Sequence, residues 1–146
     1  NGERTIKLPS FYQLDGMKKN TLEEGEFLLK VILPDDSSQR EGCYQKLRVR
    51  ESWDFPEAGI AASWIPGKAE TLQIASTALE SIPKEHSGQI KEHLDSNDGA
   101  IDVKSMSMSI QKSVKPVNNT ALPPRYRKSM VGTLTKRALK GIMKEN

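Results

Sequence analysis

Cysteine is nearly absent from this chain: Cys43 stands alone among 146 residues. One thiol forms no internal disulfide and cannot hold an iron–sulfur cluster, which needs several thiolates. A chain without disulfides fits a reducing compartment, and a cytoplasmic location is expected. Histidine is scarce as well. His86 and His93 lie in a stretch rich in lysine and acids, with no cysteine beside them and no H-E-x-x-H pattern, so they read as solvated helix residues rather than metal ligands. No apolar run approaches the roughly 18 residues a membrane span needs, and Asn1-Gly2-Glu3-Arg4 is not the start of a signal peptide. No initiator methionine is present, and the first residues already read as the middle of a structured segment. That suggests a piece of a longer protein.

Catalytic signatures are missing too. No two glycines are separated by a single residue, which removes the dinucleotide fingerprint, and neither a phosphate loop nor a G-x-S-x-G elbow occurs. The carboxylates are scattered as surface charge, with no pair suited to acid–base work. No catalytic residue and no metal site are assigned.

What remains is ordinary globular material, 36% hydrophobic and 28% charged, with only 5% aromatics for the core. The length suits one domain, or a small domain with a fragment of a neighbour. Thr5 to Leu8 reads as a short strand, and Pro9 to Tyr12 as a turn or a single helical turn. Phe27-Leu28-Leu29-Lys30-Val31-Ile32-Leu33, stopped by Pro34, reads as a buried strand. Asp35 to Gly42 is polar and flexible in composition, and a boundary is placed there, separating 1–35 from 36–146.

Gly42 to Val49 reads as a half-buried strand in which Tyr44, Leu47 and Val49 alternate imperfectly with polar neighbours. Ala58 to Ile65 and Glu70 to Leu79 flank Pro66-Gly67 as a hairpin, with Ile60, Ala62 and Trp64 on one face. After Pro83 the pattern turns helical. Ser87 is a candidate N-cap, Asn97-Asp98-Gly99 is a stop, and Val103, Met106, Ile110 and Val114 recur at helical spacing. The last segment carries Tyr126, Met130, Leu134, Ala138 and Ile142 as a four-residue stripe widened by Val131 and Leu139. Strands first and helices after predict an α+β fold, an antiparallel sheet of three to four strands packed against about three helices.

Charge is uneven. From Arg125 to Asn146 seven cations face one acid, a net of +6 in a chain of +3. A basic helix can mark nucleic acid or an acidic partner. The stripe commits the other face to a core, so the reading preferred is an amphipathic helix with a solvated basic face and no nucleic-acid partner. The Asn118-Asn119-Thr120 sequon is read as a chance match.

Three stretches together carry a family resemblance. Arg4-Thr5-Ile6-Lys7-Leu8-Pro9-Ser10-Phe11 with Leu22 to Pro34 is similar to the closing stretch of the FAD-binding domain of molybdenum hydroxylases, "R-x-I-x-L-x-x-F" then "L-x-x-x-E-L-L-x-x-I-x-I-P". Tyr44-Gln45-Lys46-Leu47-Arg48-Val49-Arg50-Glu51-Ser52-Trp53-Asp54-Phe55-Pro56 resembles "Y-x-K-x-R-x-R-x-x-x-D-F-P", which opens that family's C-terminal domain. Tyr126 to Leu139 resembles its last helix, "Y-R-x-x-x-x-x-x-L-x-x-R-A-L". Each motif alone is weak, and their order and spacing make the set specific.

The resemblance implies the FAD-binding subunit of an oxidoreductase of the xanthine dehydrogenase and carbon monoxide dehydrogenase type. There FAD relays electrons from iron–sulfur clusters to NAD or another acceptor, and the partners are an iron–sulfur subunit and a molybdenum-cofactor subunit. Residues 1–35 would be the tail of the FAD-binding domain, and 36–146 the flavoprotein C-terminal domain. Two positions carry over as cofactor-binding: Leu28, an apolar flavin contact from the tail, and Lys46, a cation reaching the flavin from the first strand of the C-terminal domain. Both also read as ordinary residues, a buried strand leucine and a surface lysine. Arg50 and Asp54 are expected to pair and pin the turn before Phe55-Pro56. The sequence departs from the family at Leu79-Glu80, where the family has a glycine pair, and it lacks the glycine-rich turns that hold the pyrophosphate, so this piece alone is expected to be apo. The rival reading is a subunit-assembly module with no flavin role.

Overall fold

The computed structural model describes residues 2–15, 17–51 and 53–144. Beyond an N-terminal tail, a four-stranded antiparallel sheet in the order β1-β2-β3-β4 carries three helices on one face. The α+β expectation is met.

Strand β1 (Glu41–Leu47) pairs with β2 (Ala58–Ile65), and β2 with β3 (Lys68–Thr77). The β2–β3 hairpin turns on Pro66-Gly67, and Gly67 has the positive φ of 81° that the third position of a type II turn requires. Cross-strand pairs Cys43↔Ala62↔Ile74 and Gln45↔Ile60↔Ser76 point to the helix side, and Ile60, Ala62 and Ile74 are buried there. Two-residue β4 (Lys84–Glu85) completes the edge, a strand the sequence reading had assigned to the start of the helical region.

Helix α4 (Pro124–Met143) lies across β1 and β2, α2 (Ser87–Ser96) lies against β3, and α3 (Val103–Ser113) bridges the two helices. Proline at the first turn of α4 costs no hydrogen bond, since that N–H would have no partner within the helix. Its buried face is Val131, Leu134, Thr135, Ala138, Leu139 and Ile142, which widens the expected stripe, while Tyr126 stays exposed. Asp102 caps α3 by accepting from the Ser105 N–H at 2.6 Å. Ser87 does not cap α2; it begins the helix, and His86 stands at the N-cap without a side-chain capping bond to a helix N–H.

Three expectations are corrected. His86 and His93 are buried, not solvated. His86 bridges β3 to α3, with Nε2 2.9 Å from Ser76 Oγ and Nδ1 3.1 Å from Ser113 Oγ. His93 Nε2 accepts from the Asp102 N–H at 3.1 Å. Their polar neighbours in sequence point outward while the rings turn in. Secondly, Phe27–Leu33 forms no strand and is exposed, Phe27 by 77%. Its apolar character does not bury it because no described strand lies beside it. Thr5 to Lys7 is likewise irregular, and only Leu8–Phe11 forms a single helical turn, α1. Thirdly, β1 buries Cys43, Gln45 and Leu47 partly, turns Tyr44 outward and ends before Val49.

Candidate functional site

The helices cover one face of the sheet. The opposite face carries Tyr44 and Lys46 from β1, Gly59 and Ala61 from β2, and Ala75 and Thr77 from β3. Register places Lys46 opposite Gly59, and Tyr44 opposite Ala61. The floor is therefore small-residued, while an aromatic ring and an ammonium rise from its β1 edge. The Tyr44 ring leans over Gly59: a Cβ added there would meet Tyr44 Oη at 2.6 Å and Cε2 at 3.1 Å, as well as Thr77 Oγ1. Thr77 Oγ1 is buried without a hydrogen-bond partner.

Lys46 is exposed, and its Nζ donates to the Asp54 carbonyl at 3.0 Å. Asp54 organises the loop that follows β1. Oδ2 accepts from the Val49 and Arg50 N–H groups at 3.1 and 2.8 Å, and Oδ1 accepts from Arg50 Nη2 at 3.0 Å and from the Phe55 N–H at 2.9 Å. These bonds, the Arg50 backbone N–H first and its guanidinium second, hold the carboxyl down to about 2. The expected Arg50–Asp54 pair is present. The loop so ordered presents Trp53, 88% exposed, and Phe55 to solvent beside the open face.

Leu28 is on the tail, 60% exposed. The tail is bound to itself: Arg4 Nε and Nη2 donate to the two Glu26 carboxylate oxygens, Arg4 Nη2 also to Thr21 O, and Lys30 pairs with Glu3. The Glu26 carboxyl lies below its ordinary range through the Arg4 side-chain bond, then the Glu23 N–H. Leu28 and Lys46 are therefore on separately organised stretches, and no described hydrogen bond joins those stretches.

Sequence reasoning passed over Tyr44, which it placed with the core-facing residues. The i, i+2 relation to Lys46 would have put both on one face. Arg127 was also passed over as a surface charge in the basic helix, although it is fully buried. Among the described residues no group of His, Cys, Asp and Glu could hold a metal ion, and no helix is long and apolar enough to cross a membrane.

No family model matches the sequence. The fold is similar to chains in three solved enzymes. A carbon monoxide dehydrogenase from Hydrogenophaga pseudoflava that lacks the Mo-pyranopterin moiety of the molybdenum cofactor matches 73% of this chain at 19% identity and a TM-score of 0.55. Reconstituted CO dehydrogenase from Oligotropha carboxidovorans matches 75% at 18% identity and a TM-score of 0.59. Quinoline 2-oxidoreductase from Pseudomonas putida 86 matches 72% at 17% identity and a TM-score of 0.56. The likeness is one of fold. This chain spans only 37% to 38% of the length of those chains.

Proposed function

We propose that this chain is the C-terminal part of the FAD-binding subunit of a molybdenum hydroxylase, an oxidoreductase of the xanthine dehydrogenase and carbon monoxide dehydrogenase type. On this reading residues 1–35 end the FAD-binding domain, and 36–146 form the C-terminal domain that closes over the flavin. Bound FAD would relay electrons from the iron–sulfur clusters of one partner subunit, fed by a molybdenum-cofactor subunit, to an acceptor such as NAD.

The observation that carries the reading is the sheet face turned away from the helices, where Tyr44 and Lys46 rise from β1, the Tyr44 ring covers Gly59, and Ala61 and Ala75 lie alongside. A planar ring needs a floor without long side chains; Ala61 and Ala75 offer one, while Gly59 beside them is already covered by the Tyr44 ring. The Lys46 ammonium is a fixed positive charge at the edge of that floor, suited to stabilising negative charge on a reduced ring, and its bond to the Asp54 carbonyl orients it. Leu28 would add an apolar contact from the tail. Fold likeness to the molybdenum enzymes supports the same assignment. The tail sequence Phe27–Leu33 is apolar on both faces yet exposed, as suits a strand that belongs between others in a sheet completed elsewhere in the subunit.

The test is reconstitution. Expressed with the remainder of a FAD-binding domain, the chain is expected to give a yellow protein that retains flavin through gel filtration; expressed alone, it is expected to be colourless. A complete, folded subunit that holds no flavin rejects the reading. A second reading, a subunit-assembly module without a flavin role, is favoured by Trp53 and Phe55, which are exposed on either side of the hydrogen-bonded Asp54, as interface anchors are.

A further inference from the structure

We propose that the groove between β3 and α2, on the helix-bearing side of the sheet, receives a lysine or arginine side chain carried on an apolar segment of a partner protein. The groove encloses about 590 Å³, within the range of sites that take a small ligand or an anchoring side chain. Its floor is apolar: Leu72 from β3 and Ile90 from α2 are buried in the core cluster, and Leu94 packs against them. Its rim is acidic. Glu70 stands on β3, Asp95 in the last turn of α2, and Asp98 in the turn that follows, with Lys91 the single cation among the lining residues.

Two observations give the occupant its sign. The three exposed carboxylates make no hydrogen bond or ion pair among the described residues, and Lys91, four residues before Asp95 on α2, is the one cation that faces them in the groove. Asp95 and Asp98 also sit at the C-terminal, electronegative end of α2, where the helix disfavours an acid and favours a cation. The only basic residue in that last turn is His93, which is buried and committed to the Asp102 N–H.

The turn that presents Asp98 is well ordered. Asp98 takes a left-handed φ of 51° and Gly99 one of 77°, while Gly99 N–H donates to Leu94 O, Ala100 N–H to Asn97 O and Asn97 Nδ2 to His93 O. An acidic rim around an apolar floor matches one type of side chain. Lysine and arginine carry a methylene stem that lies on apolar surface and a cationic head that reaches past it. With the stem on Leu72, Ile90 and Leu94, the head would meet the acidic rim. The proposal is independent of any flavin role for the opposite face.

The test is a titration of the ¹⁵N-labelled 146-residue chain followed by amide shifts. The probes are a leucine–arginine–leucine tripeptide amide and its norleucine-centred counterpart. The arginine peptide is expected to move the amides of Leu72, Ile90, Leu94 and Gly99, the norleucine peptide to leave them in place. Asp95→Asn with Asp98→Asn is expected to weaken Kd by about tenfold, and added salt to weaken it further. An otherwise unchanged spectrum shows that the variant folds. Equal shifts from both peptides, shifts gathered elsewhere, no shifts at all, or an unchanged Kd in the double variant would overturn the proposal. Butylguanidine binding as tightly as the arginine peptide would overturn the protein-segment occupant in favour of a small cation.

Discussion

The guanidinium of Arg127 is fully buried and donates from Nε to the backbone carbonyl of Glu57 at 2.7 Å, locking the first turn of α4 to the entry of β2. The same group donates from Nη1 to Val117 O at 2.7 Å and from Nη2 to Ala78 O, and the Glu57 carboxylate lies 3.9 Å from Nε. One side chain thus gathers the end of β3, the α3–α4 connection and β2. The Val117 N–H returns a bond to Leu79 O at 2.8 Å.

Removing that hub is expected to be severe. Arg127→Ala leaves three carbonyls and a nearly buried carboxylate without their cation, at a cost of about 3–5 kcal/mol. Arg127→Lys keeps the charge but not the fork, and is expected to fall between wild type and alanine. Urea denaturation measures both. An alanine variant within about 1 kcal/mol of wild type would mean the carbonyls find water instead.

Acid sensitivity should come from His86. Burial, and then the nearby Lys84 charge, push its pKa down to about 4 from the ordinary 6.5. Ser113 Oγ already donates to Ile110 O, so it accepts from His86 Nδ1–H, and the bare Nε2 accepts from Ser76. The folded state therefore holds the neutral ring, and the unfolded state binds the extra proton. Stability is full above pH 6.5 and declines as pH falls from 6.5 toward 4, by roughly 3 kcal/mol if the full shift is realised. His86→Gln is expected to flatten the upper part of that decline in denaturation series across pH. A slope unchanged by the substitution would place the titration elsewhere.

Two glycines should respond oppositely to alanine. At Gly59 the new Cβ meets the Tyr44 hydroxyl at 2.6 Å and Thr77 Oγ1, in a buried position with little room to give, so Gly59→Ala is expected to cost about 1–3 kcal/mol. Adding Tyr44→Phe and Thr77→Ala should recover part of it. At Gly132, inside α4, the Cβ meets only the end of the flexible Gln111 side chain, and the gain in helix propensity, about 1 kcal/mol, leaves Gly132→Ala neutral or stabilising. Thermal melts of the two variants decide it.

Ala78 occupies a left-handed conformation with φ of 62°, directly before Leu79-Glu80, where related sequences were expected to carry glycines. Glycine adopts that conformation without steric cost. Ala78→Gly is expected to stabilise by about 1 kcal/mol, read from the urea midpoint. A loss of stability would show that the methyl group's packing outweighs the backbone strain.

Much of the fold was legible because periodicity and turn chemistry agree. Pro66-Gly67 between two apolar runs fixes a hairpin, and the α4 stripe fixes a helix on a sheet. The tail was misread for a physical reason. Phe27 to Leu33 has the composition of a buried strand, but a strand is made by its neighbours, and none of the described residues supplies one. Burial of polar groups was the other blind spot. Arg127 looks like the rest of a basic helix, and His86 like part of a charged segment, until partners distant in sequence are known: Glu57 and Ala78 for the first, Ser76 and Ser113 for the second. At the candidate site, alternation along β1 already implied that Lys46 faces away from Leu47. That Asp54 would steady Lys46 through its carbonyl, and that Gly59 would lie opposite, follow only from register.

The central claim is that Lys46 lends its charge to a flavin lying on the open sheet face. The most direct measurement is the flavin midpoint potential of a complete FAD-binding subunit containing this chain, with and without Lys46→Met. The account predicts that the variant folds, binds FAD more weakly and shifts to a more negative potential by roughly 30 mV, the effect of about 1.4 kcal/mol of lost stabilisation of the reduced ring. A variant with unchanged potential and unchanged flavin affinity would contradict it.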